Sequence, residues 1–191
     1  ERLMEQGNDC LKQKNQQQAL LYFNSVVLLD PKHIEALVSC AKILISLNRP
    51  AEAVIYSQYA LQLNPNCTLL TLHAKALYHM GSYSEALEGF EYIVAEEPNN
   101  YVAMSQRALC LAQVNRYDEA LQVYQHVLTC SYHLDAWIYY NYSLCLLAMG
   151  NLALGFTAFE SRWQTLLSAK NHTWLLPEAA SIEILQGKSI L

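Results

Sequence analysis

The chain has 191 residues, of which 53% are hydrophobic and 15% are charged, and its formal net charge is −5. This composition excludes a disordered chain, because the apolar side chains suffice to form a buried core. It also argues against nucleic acid as a partner, since no run of lysine or arginine supplies the positive surface that phosphate backbones require. We expect one folded domain or a short array of repeats.

The six cysteines form no Cys-x-x-Cys pair, and the chain opens on Glu1-Arg2-Leu3-Met4-Glu5, which does not resemble a signal sequence. We therefore predict that the cysteines are small core residues of a cytoplasmic protein. The stretch 136–159 contains no charged residue. Because Gly150-Asn151 interrupts it, we predict two buried helices there and no membrane span.

A repeat of 33 to 35 residues runs through most of the chain. Three series of residues follow the same steps, and their members are Gly7, Ala41, Ala74, Ala108 and Ser143; Ala19, Ala53, Ala86, Ala120 and Gly155; and Phe23, Ser57, Phe90, Tyr124 and Phe159. Prolines recur at nearly the same interval, at Pro31, Pro65 and Pro98. Chance does not place three such series in one register, so the chain is built from five copies of one unit.

Each copy predicts two helices joined by a turn, such as Met80-Gly81-Ser82 or Met149-Gly150-Asn151, with proline ending the second helix. The small residues are expected where the two helices cross, and the aromatic residues are expected between successive hairpins. The copies are about 1–33, 34–66, 67–100, 101–135 and 136–163. A single copy cannot bury its apolar face, so we predict an all-α fold in which the copies stack.

This pattern resembles the tetratricopeptide repeat (TPR), which has a small residue in its first helix, Ala-x-x-x-Phe in its second and a closing proline. The resemblance covers residues 1–163 and implies a right-handed superhelical solenoid whose first helices line a concave groove. Residues 164–191 are then a linker or the start of a further domain. The copies depart from the pattern at Ser57, which replaces the aromatic residue, and at Gly155, which replaces alanine.

The resemblance implies that the groove binds a peptide or a helix of another protein. Its register assigns nine residues to the groove: Val38, Lys42, Lys75, Tyr78, Gln106, Leu109, Trp137, Tyr140 and Asn141. We expect Tyr78, Trp137 and Tyr140 to anchor the ligand. Lys42 and Lys75 occupy equivalent places and could hold an acidic group. The alternatives are that the aromatic residues only pack the hairpin and that both lysines are merely solvated.

Other functions of such repeats are not predicted. The basic clamp that binds a terminal carboxylate in chaperone receptors of this kind is missing, because its places hold Met4, Asn8, Ser39, Thr68 and Leu72, of which only Asn8 fits. We also predict no catalytic residue, metal site or cofactor, because the histidines lack ligand spacing and no cysteine has a histidine placed to activate it.

The end of the chain supports an alternative function. Here the sequence resembles bacterial TPR proteins whose repeats precede a glycosyltransferase-like domain. The matching residues are Phe159-Glu160, Arg162-Trp163, Leu185, Gly187-Lys188 and Ile190-Leu191. This resemblance implies an acceptor-recognition or regulatory arm, with the catalytic domain beyond residue 191. The apolar Trp174-Leu175-Leu176 offers a further expectation, that the tail contacts the groove of its own chain.

Overall fold

The computed structural model describes residues 1–130 and 136–168, with side chains described up to Glu160. These residues form ten α-helices and no strand, which confirms the predicted all-α fold. The helices are α1 (Arg2–Lys12), α2 (Gln16–Leu29), α3 (Ile34–Ser46), α4 (Pro50–Leu63), α5 (Cys67–Met80), α6 (Tyr83–Glu96), α7 (Tyr101–Gln113), α8 (Tyr117–Cys130), α9 (Ala136–Ala148) and α10 (Leu152–Ser168).

The ten helices pair into five hairpins, which we number from α1–α2 to α9–α10, and fall into two compact units. The first unit holds α1 to α8, and the second holds α9 and α10. Within the first unit each helix packs against the next one along the chain, and α3 also packs against α5. In the second unit α10 packs along α9 and continues to Ser168, so it includes the first residues of the predicted linker.

All five hairpin turns share one backbone feature, a residue with positive φ. One or two positions after each first helix ends, a residue has a left-handed backbone conformation, with φ of 91° at Gly81 and 79° at Gly150. The other three turns place Lys14, Asn48 and Asn115 in the same conformation, with φ of 59°, 56° and 62°. Such a conformation costs a residue with a Cβ roughly 1–2 kcal/mol, and tertiary packing must offset that cost. The predicted turns at residues 80–82 and 149–151 are confirmed.

The two helices of a hairpin approach closely where their small residues meet. A Cβ added to Gly7 would lie 2.8 Å from the ring of Phe23, and one added to Gly155 would lie 2.6 Å from Leu147 Cδ2. Both small series are buried in every hairpin, as the repeat register predicts. Phe23 contacts the first helix of its own hairpin and also shares an apolar cluster with Cys40 and Leu44 of the next one.

Ser57 and His73 form a polar contact where the other hairpins of the first unit have a buried aromatic ring. The Oγ of fully buried Ser57 lies 3.1 Å from His73 Nδ1 on α5 and donates to the carbonyl of Val54, also at 3.1 Å. The imidazole of the following hairpin thus occupies space that phenylalanine fills elsewhere. Sequence reasoning noticed Ser57 but not its partner, because residues 16 positions apart give no local signal.

The hairpins are separated by short connections with clear helix signals. Pro31, Pro65 and Pro98 each lie two residues beyond the end of α2, α4 or α6, as predicted. Asn66 and Asn100 then cap α5 and α7, because each side-chain oxygen accepts a backbone N–H at 2.9 Å. These caps fix where the first helices begin, and so fix which residues each one exposes.

Enlarging Ala86 should destabilise the chain. Ala86 is fully buried at a close helix crossing, so Ala86→Leu should lower the free energy of unfolding by roughly 1–3 kcal/mol through overpacking. Ala95 lies on the same helix but is exposed, so Ala95→Leu is the matched control and should change little. Urea unfolding followed by circular dichroism measures both, and equal midpoints for the two variants would contradict the assigned crossing.

Stability should fall in mild acid because of His73. Burial lowers the pKa of His73 from its ordinary 6.5, so below that pH the unfolded chain binds this proton more readily than the folded chain does. The contribution of the neutral His73 side chain to the free energy of unfolding is therefore complete above pH 6.5. It is lost as the pH falls toward the pKa that His73 has in the folded chain. In urea titrations from pH 7.5 to 5, His73→Leu should make the free energy of unfolding depend less on pH. An unchanged slope would assign the acid sensitivity to other groups.

Candidate functional site

The first helices α3, α5 and α7 carry six of the nine predicted groove residues. Val38 and Lys42 lie on α3, Lys75 and Tyr78 on α5, and Gln106 and Leu109 on α7. Lys42 is exposed, Val38, Lys75, Tyr78 and Gln106 are half-buried, and Leu109 is buried. Leu109 therefore contributes mainly to the core, while the others remain open to a ligand.

Tyr78 is the most tightly positioned of these side chains. Its ring centroid lies 5.7 Å from that of His79 in an edge-on contact and 5.2 Å from that of Tyr83. Burial raises the pKa of Tyr78, and a hydrogen bond with the side chain of Gln113 partly opposes this shift. Ring contacts within α5 and to α6 thus hold one aromatic side chain in place while part of it faces solvent.

The charged groups of the three first helices differ in whether they are already paired. Arg107 Nε of α7 lies 3.6 Å from Glu91 Oε1 of α6, so this guanidinium is directed to the neighbouring second helix. Neither Lys42 nor Lys75 makes an ion pair with any described residue. Their ammonium groups are available to a ligand.

The second unit carries the other three predicted residues. Trp137 and Tyr140 on α9 are 37% and 38% exposed, and the Tyr140 ring lies 6.0 Å from that of Phe159 on α10. Asn141 is buried, and its side-chain amide donates to the Trp137 carbonyl at 2.8 Å. The register places these three residues on α9, and the structure shows that the Asn141 amide bonds to the backbone of its own helix.

The prediction that the cysteines are core residues is correct for only three of the six, because Cys10 and Cys67 are half-buried and Cys130 is exposed. Cys40, Cys110 and Cys145 are buried, as expected, and all six thiols are free. Cys130 is exposed, however, and its Sγ lies 3.7 Å from His126 Nδ1. The prediction that no cysteine has a neighbouring histidine is therefore wrong, and the i, i+4 spacing on α8 was the signal that could have found the pair.

The part of the chain that the structure describes offers little else for chemistry. It contains no group of three His, Cys, Asp or Glu side chains that could hold a metal ion. It also contains no helix that is both long enough and apolar enough to cross a membrane. The side chains of Arg162 and Trp163, and residues 169–191 with the Gly187-Lys188 motif, lie outside the described residues.

Helical hairpins with small residues at their crossings and an exposed first-helix surface define a repeat protein of the tetratricopeptide type. The tetratricopeptide repeat family model matches residues 77–130, from α5 to the end of α8. Solved structures with the same fold agree: the 41-end fragment of MamA from Desulfovibrio magneticus RS-1 has a TM-score of 0.76 at 16% identity, covering 88% of this chain and 95% of that one. The chain therefore has the fold of a TPR solenoid.

Three further relatives extend this comparison. YrrB, described as a TPR protein with an unusual peptide-binding site, gives a TM-score of 0.65 at 19% identity, covering 85% of this chain and 84% of its own. The DnaJ homolog subfamily C member 7 homolog of Schizosaccharomyces pombe is 30% identical over 115 residues, 51% of this chain. The Hsp70-Hsp90 organizing protein of Triticum aestivum is 23% identical over 113 residues, 59% of this chain. The matches span only 24% and 19% of these two relatives.

Proposed function

We propose that this chain is a protein-interaction scaffold that binds a peptide or helix of another protein along α3, α5 and α7 of the first unit. The TPR fold supports the proposal, as does the peptide-binding site named for YrrB, a protein of similar fold. Val38, Lys42, Lys75, Tyr78 and Gln106 are the contact residues. The partner is a protein, with no role for nucleic acid, and the expected location is the cytoplasm.

The positioning of Tyr78 is the observation that carries this proposal. A side chain that already packs against the rings of His79 and Tyr83 loses little conformational freedom when a ligand packs on it. Rigid aromatic anchors are typical of residues that dominate binding energy, because they bury a large area at low entropic cost. Tyr78 therefore serves as the anchor of the surface, and the residues around it provide shape and polarity.

In the second unit, Trp137 and Tyr140 form a separate aromatic contact surface. Each exposes more than a third of its side chain, which is enough for a ligand to bury further apolar area. Asn141 supports this surface indirectly, because its hydrogen bond to the Trp137 carbonyl braces α9. If these aromatic residues only pack the hairpin, Trp137→Ala should leave ligand binding unchanged.

A glycosyltransferase arm is the alternative function, and it retains support only from the sequence motif near the end of the chain. Phe159 packs near Tyr140 in α9, as a residue of the last hairpin would in either case. The relatives described above add nothing to this alternative. Turnover of a nucleotide sugar by the full-length protein is the assay that would favour it. The suggested contact between the groove and residues 164–191 concerns mainly residues outside those described.

Peptides selected against the chain should depend on Tyr78. We expect ligands from a random phage-displayed library to bind Tyr78→Ala at least about tenfold more weakly, the effect typical of a central aromatic anchor. Tyr92 on the second helix α6 is more exposed, at 58%, so Tyr92→Ala is the matched control and should bind normally. Fluorescence anisotropy with the selected peptides measures both variants. Equal loss in both, or loss only in Tyr92→Ala, would contradict the proposed surface.

A further inference from the structure

Acidic and basic residues are divided between the two kinds of helix in hairpins 2 to 4. The second helices α4, α6 and α8 contain no lysine or arginine, and their carboxylates are Glu52, Glu85, Glu88, Glu91, Glu96, Asp118 and Glu119. The first helices α3, α5 and α7 carry Lys42, Lys75 and Arg107 against the single carboxylate Glu35. The first helices are thus net positive in a chain whose net charge is −5.

Two of these three cations are free to meet a ligand. Arg107 forms a long ion pair with Glu91, as described above, whereas Lys42 and Lys75 have no ion-pair partner among the described residues. The two lysines occupy equivalent places 33 residues apart, on helices that pack against each other. Lys75 is half-buried, so part of its side chain already packs against the protein and loses less conformational freedom when its ammonium pairs with a carboxylate.

We propose that the ligand of the first unit is an acidic segment whose side-chain carboxylates pair with Lys42 and Lys75. This inference rests on the proposed function and adds the chemical class of the partner. Tyr78 lies three residues after Lys75 on the same helix face. The ligand therefore places an apolar side chain on Tyr78, next to the carboxylate that Lys75 binds.

The geometry also sets the spacing of the two carboxylates. Packed helix axes lie roughly 8–10 Å apart, and an extended peptide advances about 3.3 Å per residue. Two acidic residues about three positions apart would therefore reach both lysines. Internal carboxylates fit better than a terminal one, because Met4, Ser39 and Leu72 stand where a terminal-carboxylate clamp would need polar or basic groups. Glu52, Glu91 and Glu119 of the second helices are already in ion pairs. The other carboxylates of these helices, which make no ion pair with a described residue, repel the same ligand, so charge directs it to the first helices.

The probes are twelve-residue peptides that are acetylated and amidated at their ends. One series carries one tyrosine and two glutamates spaced two, three or four residues apart, and the matched series has glutamine in place of glutamate. At low salt the best acidic peptide should bind about tenfold more tightly than its glutamine counterpart, the sum of two modest ion pairs. A glutamine peptide with a free carboxyl end tests the terminal-carboxylate source.

Charge-matched variants of the full chain separate a specific pairing from a general effect of net charge. Lys42→Gln with Lys75→Gln should abolish the preference for glutamate, and Lys42→Glu with Lys75→Glu should create a preference for a lysine peptide. The control is Lys14→Gln with Lys32→Gln, two exposed lysines that lie outside the helices, and it should keep the wild-type preference. Circular dichroism verifies that each variant is folded.

The outcomes distinguish this inference from the proposed function. Equal affinity for the glutamate and glutamine series, with binding still lost in Tyr78→Ala, would overturn the acidic-ligand inference and leave the scaffold function standing. Equal effects of the two double-glutamine variants would overturn it as well. If the chain binds the glutamine peptide with a free carboxyl end more tightly than the acidic peptides, the ligand group is a terminal carboxylate. The inference of internal carboxylates would then be wrong. If neither peptide series nor any selected peptide binds, the proposed function fails, and the inference fails with it.

Discussion

The close crossing of the two helices in each hairpin is the constraint on which the rest of the structure depends. Gly7 touches the ring of Phe23 so closely that even a methyl group would force a shift, and fully buried alanines stand at the corresponding crossings of hairpins 2 to 4. Close crossings set the position of each second helix, and each second helix in turn supports the first helix of the next hairpin in the first unit. The exposed surface of α3, α5 and α7 is a product of this packing.

Polar contacts in the core add order to this apolar packing. The Asn24 side-chain oxygen accepts hydrogen bonds from the Tyr56 hydroxyl at 2.9 Å and from the Cys40 thiol at 3.3 Å. One residue of α2 thus links α3 and α4. Ser57 and His73 connect hairpins 2 and 3 in the same manner. A buried polar group is costly without its own partner, so these contacts favour one arrangement of neighbouring hairpins over a slipped one.

Sequence periodicity predicted the helices, their turns and the buried small residues, because each of these depends on local spacing and side-chain size. It assigned the proposed groove residues to particular helices, but it did not predict how deeply each residue is buried. Asn141 and Leu109 are buried because neighbouring side chains cover them, and a register contains no such information. The pair Ser57–His73 was missed because it joins two helices of different hairpins, and the tertiary fold alone brings these residues together.

The buried cysteines make the stability of individual hairpins measurable. Burial raises the pKa of Cys40 and Cys110 to about 12 and that of Cys145 to about 11. Only a thiolate that solvent can reach is alkylated at an appreciable rate, so each of these thiols reacts when its surroundings open. Cys40 lies in hairpin 2, Cys110 in hairpin 4 and Cys145 in hairpin 5. The alkylation rates of the three thiols, measured separately, therefore report which hairpin opens most readily, and no label has to be introduced into the protein.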